Sequence, residues 1–141
     1  MSNYNGYLLK STKTNQIFPM KYIKYDSWES DPNHREDIKA YRDDNTRALY
    51  RETVKLQYTK SAFSFSTRDN LTLEDREAIK QFFDSAYSDA TERKLSLEYW
   101  NDEDLNYKTG VFYVANMQPK IKVVKGDTLV YNSYKIEFVE Y

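Results

Sequence analysis

The sequence predicts a mostly β domain with one amphipathic helix: an antiparallel sheet or split β-barrel with the helix packed on it. Three observations carry this expectation. Apolar and polar residues alternate with period two in several separate segments. One segment only, following Thr72, spaces its apolar residues as a helix does. The composition is rich in tyrosine, with 14, and poor in glycine and proline, with three of each. Tyrosine favours pleated, half-buried surfaces. A chain of 141 residues fits a single domain, 1–141, with one core. At this size about two-thirds of the unfolded surface is buried on folding, so no disulfide or metal staple is required.

The elements follow in order. Tyr7 to Lys10 is a short strand, Asn15-Gln16 a turn, and Ile17 to Tyr25 a second alternating strand. The alternation stops between Asp26 and Arg47, a polar stretch containing Pro32, and we expect residues 26–47 to form a projecting loop or arm. Within it Ile38 to Tyr41 can make a short strand, and Arg42 to Thr46 a turn. Trp28, a large aromatic in polar surroundings, is either folded back on the body or reserved for a partner. Leu49 to Tyr58 and Ser61 to Thr67 read as strands that pair as neighbours, the second with Phe63 and Phe65 on one face.

The helix opens at Thr72, an N-cap with Asp75 three residues on, a capping box with a short acid. Glu74, Asp75 and Glu77 place negative charge where the helix dipole favours it. Ala78, Ile79, Phe82, Phe83 and Ala86 form its apolar stripe, too short for a coiled coil and therefore directed at the sheet, and the helix ends near Tyr87. Four strands follow: Lys94 to Trp100, Tyr107 to Ala115, Ile121 to Val124, and Leu129 to Tyr141. Polar turns at Asn101 to Asp104 and Gly126-Asp127 separate the first pair and the last.

Composition also bounds function. There is no cysteine, which excludes disulfides, thiolate metal sites and cysteine nucleophiles. A formal net charge of −1 lacks the basic surplus of a duplex nucleic-acid binder. No apolar run approaches the ~20 residues of a membrane span, and the N-terminus is not expected to act as a signal peptide. His34 is the one histidine, set among Asp31, Glu36 and Asp37, a poor metal constellation that reads as a solvated loop. Asp102, Glu103 and Asp104 lack the rest of a calcium loop. Glu98 with Asp102 can be drawn as a glycosidase pair but reads as part of a charged hairpin. No phosphate-binding or nucleophile-elbow motif is present. We therefore expect no enzyme, catalytic residue, metal, cofactor or small-molecule substrate. Lys21 to Tyr25 and Lys120 to Lys125 interleave lysines with apolar residues, as single-strand binders do, and equally as solvent-facing strands do.

The run Tyr41-Arg42-Asp43-Asp44-Asn45-Thr46-Arg47-Ala48-Leu49-Tyr50-Arg51-Glu52, followed by Tyr58 to Phe65, resembles small tail proteins of long-tailed bacteriophages of Gram-positive hosts. The likeness continues in the helix start Leu71 to Asp75, in Gly110-Val111-Phe112-Tyr113 and in the terminal Phe138-Val139-Glu140, and is poorest from Trp28 to Asp37. It implies a tail-tube-like barrel with a flanking helix, in a ring at the tail tip, baseplate hub or tube end. Its partners would be copies of itself and other tail proteins, without membrane or specific nucleic acid, and its place the virion, after synthesis in the host cytoplasm. Trp28, His34, Arg35, Tyr41, Arg42 and Arg47 are then the expected inter-subunit contacts. A small module binding single-stranded nucleic acid or cell-wall glycan is the alternative.

Overall fold

The computed structural model describes residues 2–34, 37–42, 49–53 and 60–141, with side chains for 2–33 and 60–141. Its strands are β1 (Leu9–Ser11), β2 (Glu29–His34), β3 (Asp37–Arg42), β4 (Leu49–Thr53), β5 (Lys60–Ser66) and β6 (Leu71–Thr72). The helix α1 (Leu73–Ala86) follows, then β7 (Tyr87–Asp89), β8 (Lys94–Asn101), β9 (Asn106–Val114), β10 (Ile121–Lys125), β11 (Thr128–Tyr131) and β12 (Lys135–Glu140). A seven-stranded sheet runs β1-β8-β9-β12-β5-β2, with β7 also on β8; β10-β11-β6 form a second sheet and β3-β4 a third. The pairings are antiparallel. The fold is α+β, mostly antiparallel β with one helix. The large sheet does not close into a barrel. The segment that follows β1 makes two isolated bridges, Ile17 to Lys10 of β1 and Ile23 to Thr67 just past β5.

Period-two patterning places one face of each long strand inside. Leu95, Leu97 and Tyr99 of β8, Phe112 and Val114 of β9, Ile136 and Phe138 of β12, and Phe63 and Phe65 of β5 are buried in one core. Helix α1 covers that core with Ile79, Phe82, Phe83 and Ala86, while Ala78 stays exposed. Phe82 meets Phe18 edge-on at 5.2 Å. The capping box forms as expected. Thr72 Oγ1 accepts from the Asp75 amide at 3.3 Å, and the Asp75 carboxylate accepts from the Thr72 amide at 3.1 Å. Thr72 is also paired with Val130 of β11, so the cap ties the helix start to the small sheet.

Four expectations are corrected. Ile17 to Tyr25 is not a strand but turns through a 3-10 segment, Met20–Tyr22, behind Pro19. Tyr22 and Ile23 are both buried there, and the Tyr22 and Ile23 amides donate to the Pro19 and Met20 carbonyls at 3.2 and 3.1 Å, closing the turn. Glu29 to His34 is not loop; it pairs with β5 as an edge strand. Strand β5 lies between β12 and β2, while β4 pairs with β3, so the two neighbours in sequence are not neighbours in the sheet. Val54 to Tyr58, and the turn Asp43 to Thr46, lie outside the described residues. Finally, Leu129 to Tyr141 is two strands in two sheets. The chain breaks at Asn132-Ser133, where the Ser133 amide donates to Asp69 Oδ1 at 3.0 Å.

Thr72→Ala should lower unfolding stability by about 1 kcal/mol. Phe82→Ala should lower it by roughly 3–5 kcal/mol through loss of core contacts. Urea denaturation followed by circular dichroism reads both; equal losses would remove the helix packing from the account.

Candidate functional site

The densest set of buried polar side chains lies where β2 leaves the sheet toward β3. Its origin is local. Pro32 has no amide hydrogen to give a ladder, and the β2–β5 register shifts between Asp31 and His34. Asn33 adopts φ +54°, a left-handed conformation that asparagine tolerates better than most residues. The irregularity turns the Asn33 side chain inward, where the residue is 2% exposed.

The Asn33 amide and both polar atoms of its side chain are then engaged. Its amide donates to Ser61 Oγ at 3.0 Å and its Nδ2 to Asp104 Oδ1 at 3.2 Å. Its Oδ1 accepts from Asn101 Nδ2 at 3.1 Å and from Lys108 Nζ at 2.9 Å. Asn101, fully buried, caps the β8–β9 turn by accepting from the amides of Glu103 and Asp104, each at 3.0 Å. Ser61 Oγ also accepts from the Tyr99 hydroxyl at 2.8 Å, and the Ser61 amide donates to Glu140 Oε1 at 2.7 Å. On the solvent side Asp102 Oδ2 accepts from Trp28 Nε1 at 3.1 Å and from Ser30 Oγ at 2.5 Å. This clasp joins β2, β5, β8, β9 and β12. A buried network of this kind specifies one geometry because each unpaired member would be costly.

The carboxylates that might have served chemistry are thus bound into structure. Glu98 accepts from the Tyr7 hydroxyl. That hydrogen bond, with burial second, pushes the Tyr7 phenol up from 10.0 to about 12. Burial likewise raises the Tyr99 phenol, against the bond to Ser61. Burial raises Tyr134, against Arg76, whose Nη1 donates to its hydroxyl at 2.7 Å. Among the described residues no group of three or more His, Asp or Glu side chains is placed to hold a metal ion, and no helix is long and apolar enough to cross a membrane.

Of the sequence-predicted contacts, Trp28 is folded back. It stacks on Phe63 at 4.9 Å and 23° and on Phe65 at 6.1 Å and 12°. His34 pairs its backbone with Lys60, and Tyr41 and Arg42 pair theirs with Tyr50 and Leu49 in the β3–β4 ribbon. Arg35 and Arg47 lie outside the described residues. The run Lys21 to Tyr25 is no stacking platform, since Tyr22 and Ile23 are buried; Tyr25 alone is open, at 81% exposure, beside the Arg68 guanidinium. Sequence reading missed Asn33, Ser61 and Asn101. The one signal was Asn101 ahead of an acidic turn, a position where asparagine caps the backbone.

Asn33→Ala should cost about 3 kcal/mol, from unpaired buried groups and from the left-handed backbone, and Asn33→Gly should recover roughly 1 kcal/mol of it. Identical losses in urea melts would mean that the backbone conformation contributes nothing. The raised Tyr7 phenol adds stability that is fully present below pH 10.0 and is lost as pH rises toward about 12, because the unfolded chain gives up that proton first. Stability measured across that window should fall less steeply in Tyr7→Phe.

No curated protein matches the chain. Among solved structures it is similar to a chain of the tail of an empty GTA particle, determined with helical refinement and C6 symmetry. That likeness has 15% identity and a TM-score of 0.48, and covers 98% of this chain and 94% of that one. Residues 1–141 match a family of unknown function, DUF6711, and the chain belongs to that family.

Proposed function

We propose that this protein is a structural component of a bacteriophage tail, at the tail tip, baseplate hub or tube end, which assembles as a ring through its sheet edges and an arm around the β3–β4 ribbon. One observation carries the reading: among the described residues, the carboxylates of the β8–β9 hairpin are spent on holding strands together, while the open surface is strand edge and sheet face. Glu98 is held by Tyr7, Asp102 by Trp28 and Ser30, and Asp104 by Asn33. Ile121, Val123, Val124, Val111 and Tyr113 face outward instead. A scaffold of this kind suits contact-making rather than catalysis. The resemblance to small phage tail proteins, carried by Tyr41 to Glu52 and Tyr58 to Phe65, supplies the kind of assembly.

The clasp gives the arm its rigid root. A ring subunit must present its contacts at a constant angle for the rotation to close. In this reading the arm is residues 26–47 as they bear on the neighbour, with Trp28 setting its base and His34, Arg35, Tyr41, Arg42 and Arg47 meeting the next copy. Near-balanced charge, 21 basic against 22 acidic residues, suits complementary contacts between identical surfaces.

Gold-labelled antibody against the chain should decorate one end of the tail in electron micrographs of particles from the phage that encodes it. Particles lacking the chain by labelling and by mass spectrometry would refute the tail assignment. Tyr41→Ala with Arg42→Ala should leave the circular dichroism spectrum unchanged and reduce incorporation into tails. Full incorporation of that variant would remove the arm from the assembly.

A further inference from the structure

Two surfaces of this chain, at different places on the fold, are opposite in charge. The first is strand β10. It is the edge of the three-stranded sheet, and every one of its residues is exposed. Val124 is 69% exposed, Ile121 48% and Val123 42%. Lysines at 120, 122 and 125 are interleaved with them, and Lys122 Nζ reaches Asn70 Oδ1 at 2.9 Å. The β10–β11 turn at Gly126-Asp127 brings one acid to the tip. An exposed edge carrying a run of β-branched residues is a template for pairing; lysines discourage indiscriminate pairing and leave a basic partner surface.

The second surface is an open groove of ≈ 370 Å³ over β2, β5 and β12. Its floor includes the small residues Ala62 and Ser64, with Val139 beside them, and its charged lining residues are Glu29, Asp31 and Glu137. Lys135 pairs with Glu137 at 3.0 Å and also lies within electrostatic reach of Glu29, but the Lys135 and Glu137 side chains are about half exposed, where such a pair is weak, and the three acids outnumber the one lysine. The short floor leaves room for aliphatic side chains between acidic walls.

We infer that β10, with its apolar side chains and Lys120 and Lys125, docks in the Glu29–Glu137 groove of a second copy of this chain. The inference rests on the structural-subunit reading and names the partner for its sheet edges. The occupant is a second copy because the chain itself supplies both halves, basic and apolar on one, acidic and concave on the other. The two patches are distinct, so the contact is heterologous, and repetition generates a ring or a filament rather than a closed pair.

Charge reversal tests it in the full chain. Lys120→Glu with Lys125→Glu makes the strand acidic; Glu29→Lys with Glu137→Lys makes the groove basic. All four positions are exposed, and circular dichroism checks that each variant folds. In sedimentation velocity at low salt the wild-type chain should self-associate, and each variant alone should associate roughly tenfold more weakly or not at all. An equimolar mixture of the two variants should recover association, because each reversed strand then meets a reversed groove. Added salt should weaken the wild-type contact. A wild-type chain that stays monomeric at high concentration, variants that associate like wild type, or a mixture without recovery would each overturn the inference. These outcomes are separable from the tail assignment. Labelled particles with an unaffected variant would discard this interface and keep the tail, and recovery in the mixture without labelled particles would do the reverse.

Discussion

Phe63 sits where the large sheet curls over its own core, and most of the tertiary structure depends on what touches its ring. Phe138 of β12 stacks on it at 4.6 Å, Tyr99 of β8 at 5.3 Å, and Trp28, just ahead of β2, at 4.9 Å; Phe112 of β9 meets it edge-on at 5.2 Å. One side chain on β5 thus touches its ladder neighbour β12 and also reaches β8 and β9, which the ladder connects to β5 only through other strands. Each aromatic pair contributes about 0.5–1.5 kcal/mol beyond the area it buries, and offset geometry gives the contacts direction as well. Phe18, Phe82 and Phe83 extend the same set to the helix. Few glycines and prolines interrupt the strands that carry these rings.

Tyr99 connects this apolar centre to the polar clasp. Its ring belongs to the Phe63 cluster, and its hydroxyl donates to Ser61 Oγ, which also receives the Asn33 amide. The core and the end of β2 are therefore joined through Ser61. Gly110 shows how tightly the clasp edge is built. It lies opposite Leu97 in the β8–β9 ladder, and a Cβ there would collide with the Glu140 carboxylate, whose other oxygen receives the Ser61 amide. A glycine in mid-strand usually marks such a close approach.

The outer surface follows another logic. Strands β2 and β10 are edges of their sheets, yet they are finished differently: β2 with acids and a proline, β10 with lysines and β-branched residues. Edges left open to any partner invite uncontrolled aggregation, and charged residues or a proline on an edge strand discourage it.

Local chemistry by itself determined the helix and most strands. Thr72 and Asp75 state where α1 begins, Ile79, Phe82, Phe83 and Ala86 state its buried face, and Leu95-Leu97-Tyr99 state the inward face of β8. These signals are legible because spacing along the chain maps directly onto one side of an element. Which strands become neighbours is not so encoded. Residues Leu49–Thr53 and Lys60–Ser66 are close in sequence but belong to different sheets, since the burial available to Phe63 and Phe65 between β12 and β2 outweighs proximity. The stretch from Glu29 to His34 reads as polar loop because its burial is supplied from outside, by Trp28 against Phe63 and by Asn33 against Asn101 and Lys108. A buried polar side chain has no period. Its place is set by partners dozens of residues away, and only the tertiary structure brings them together.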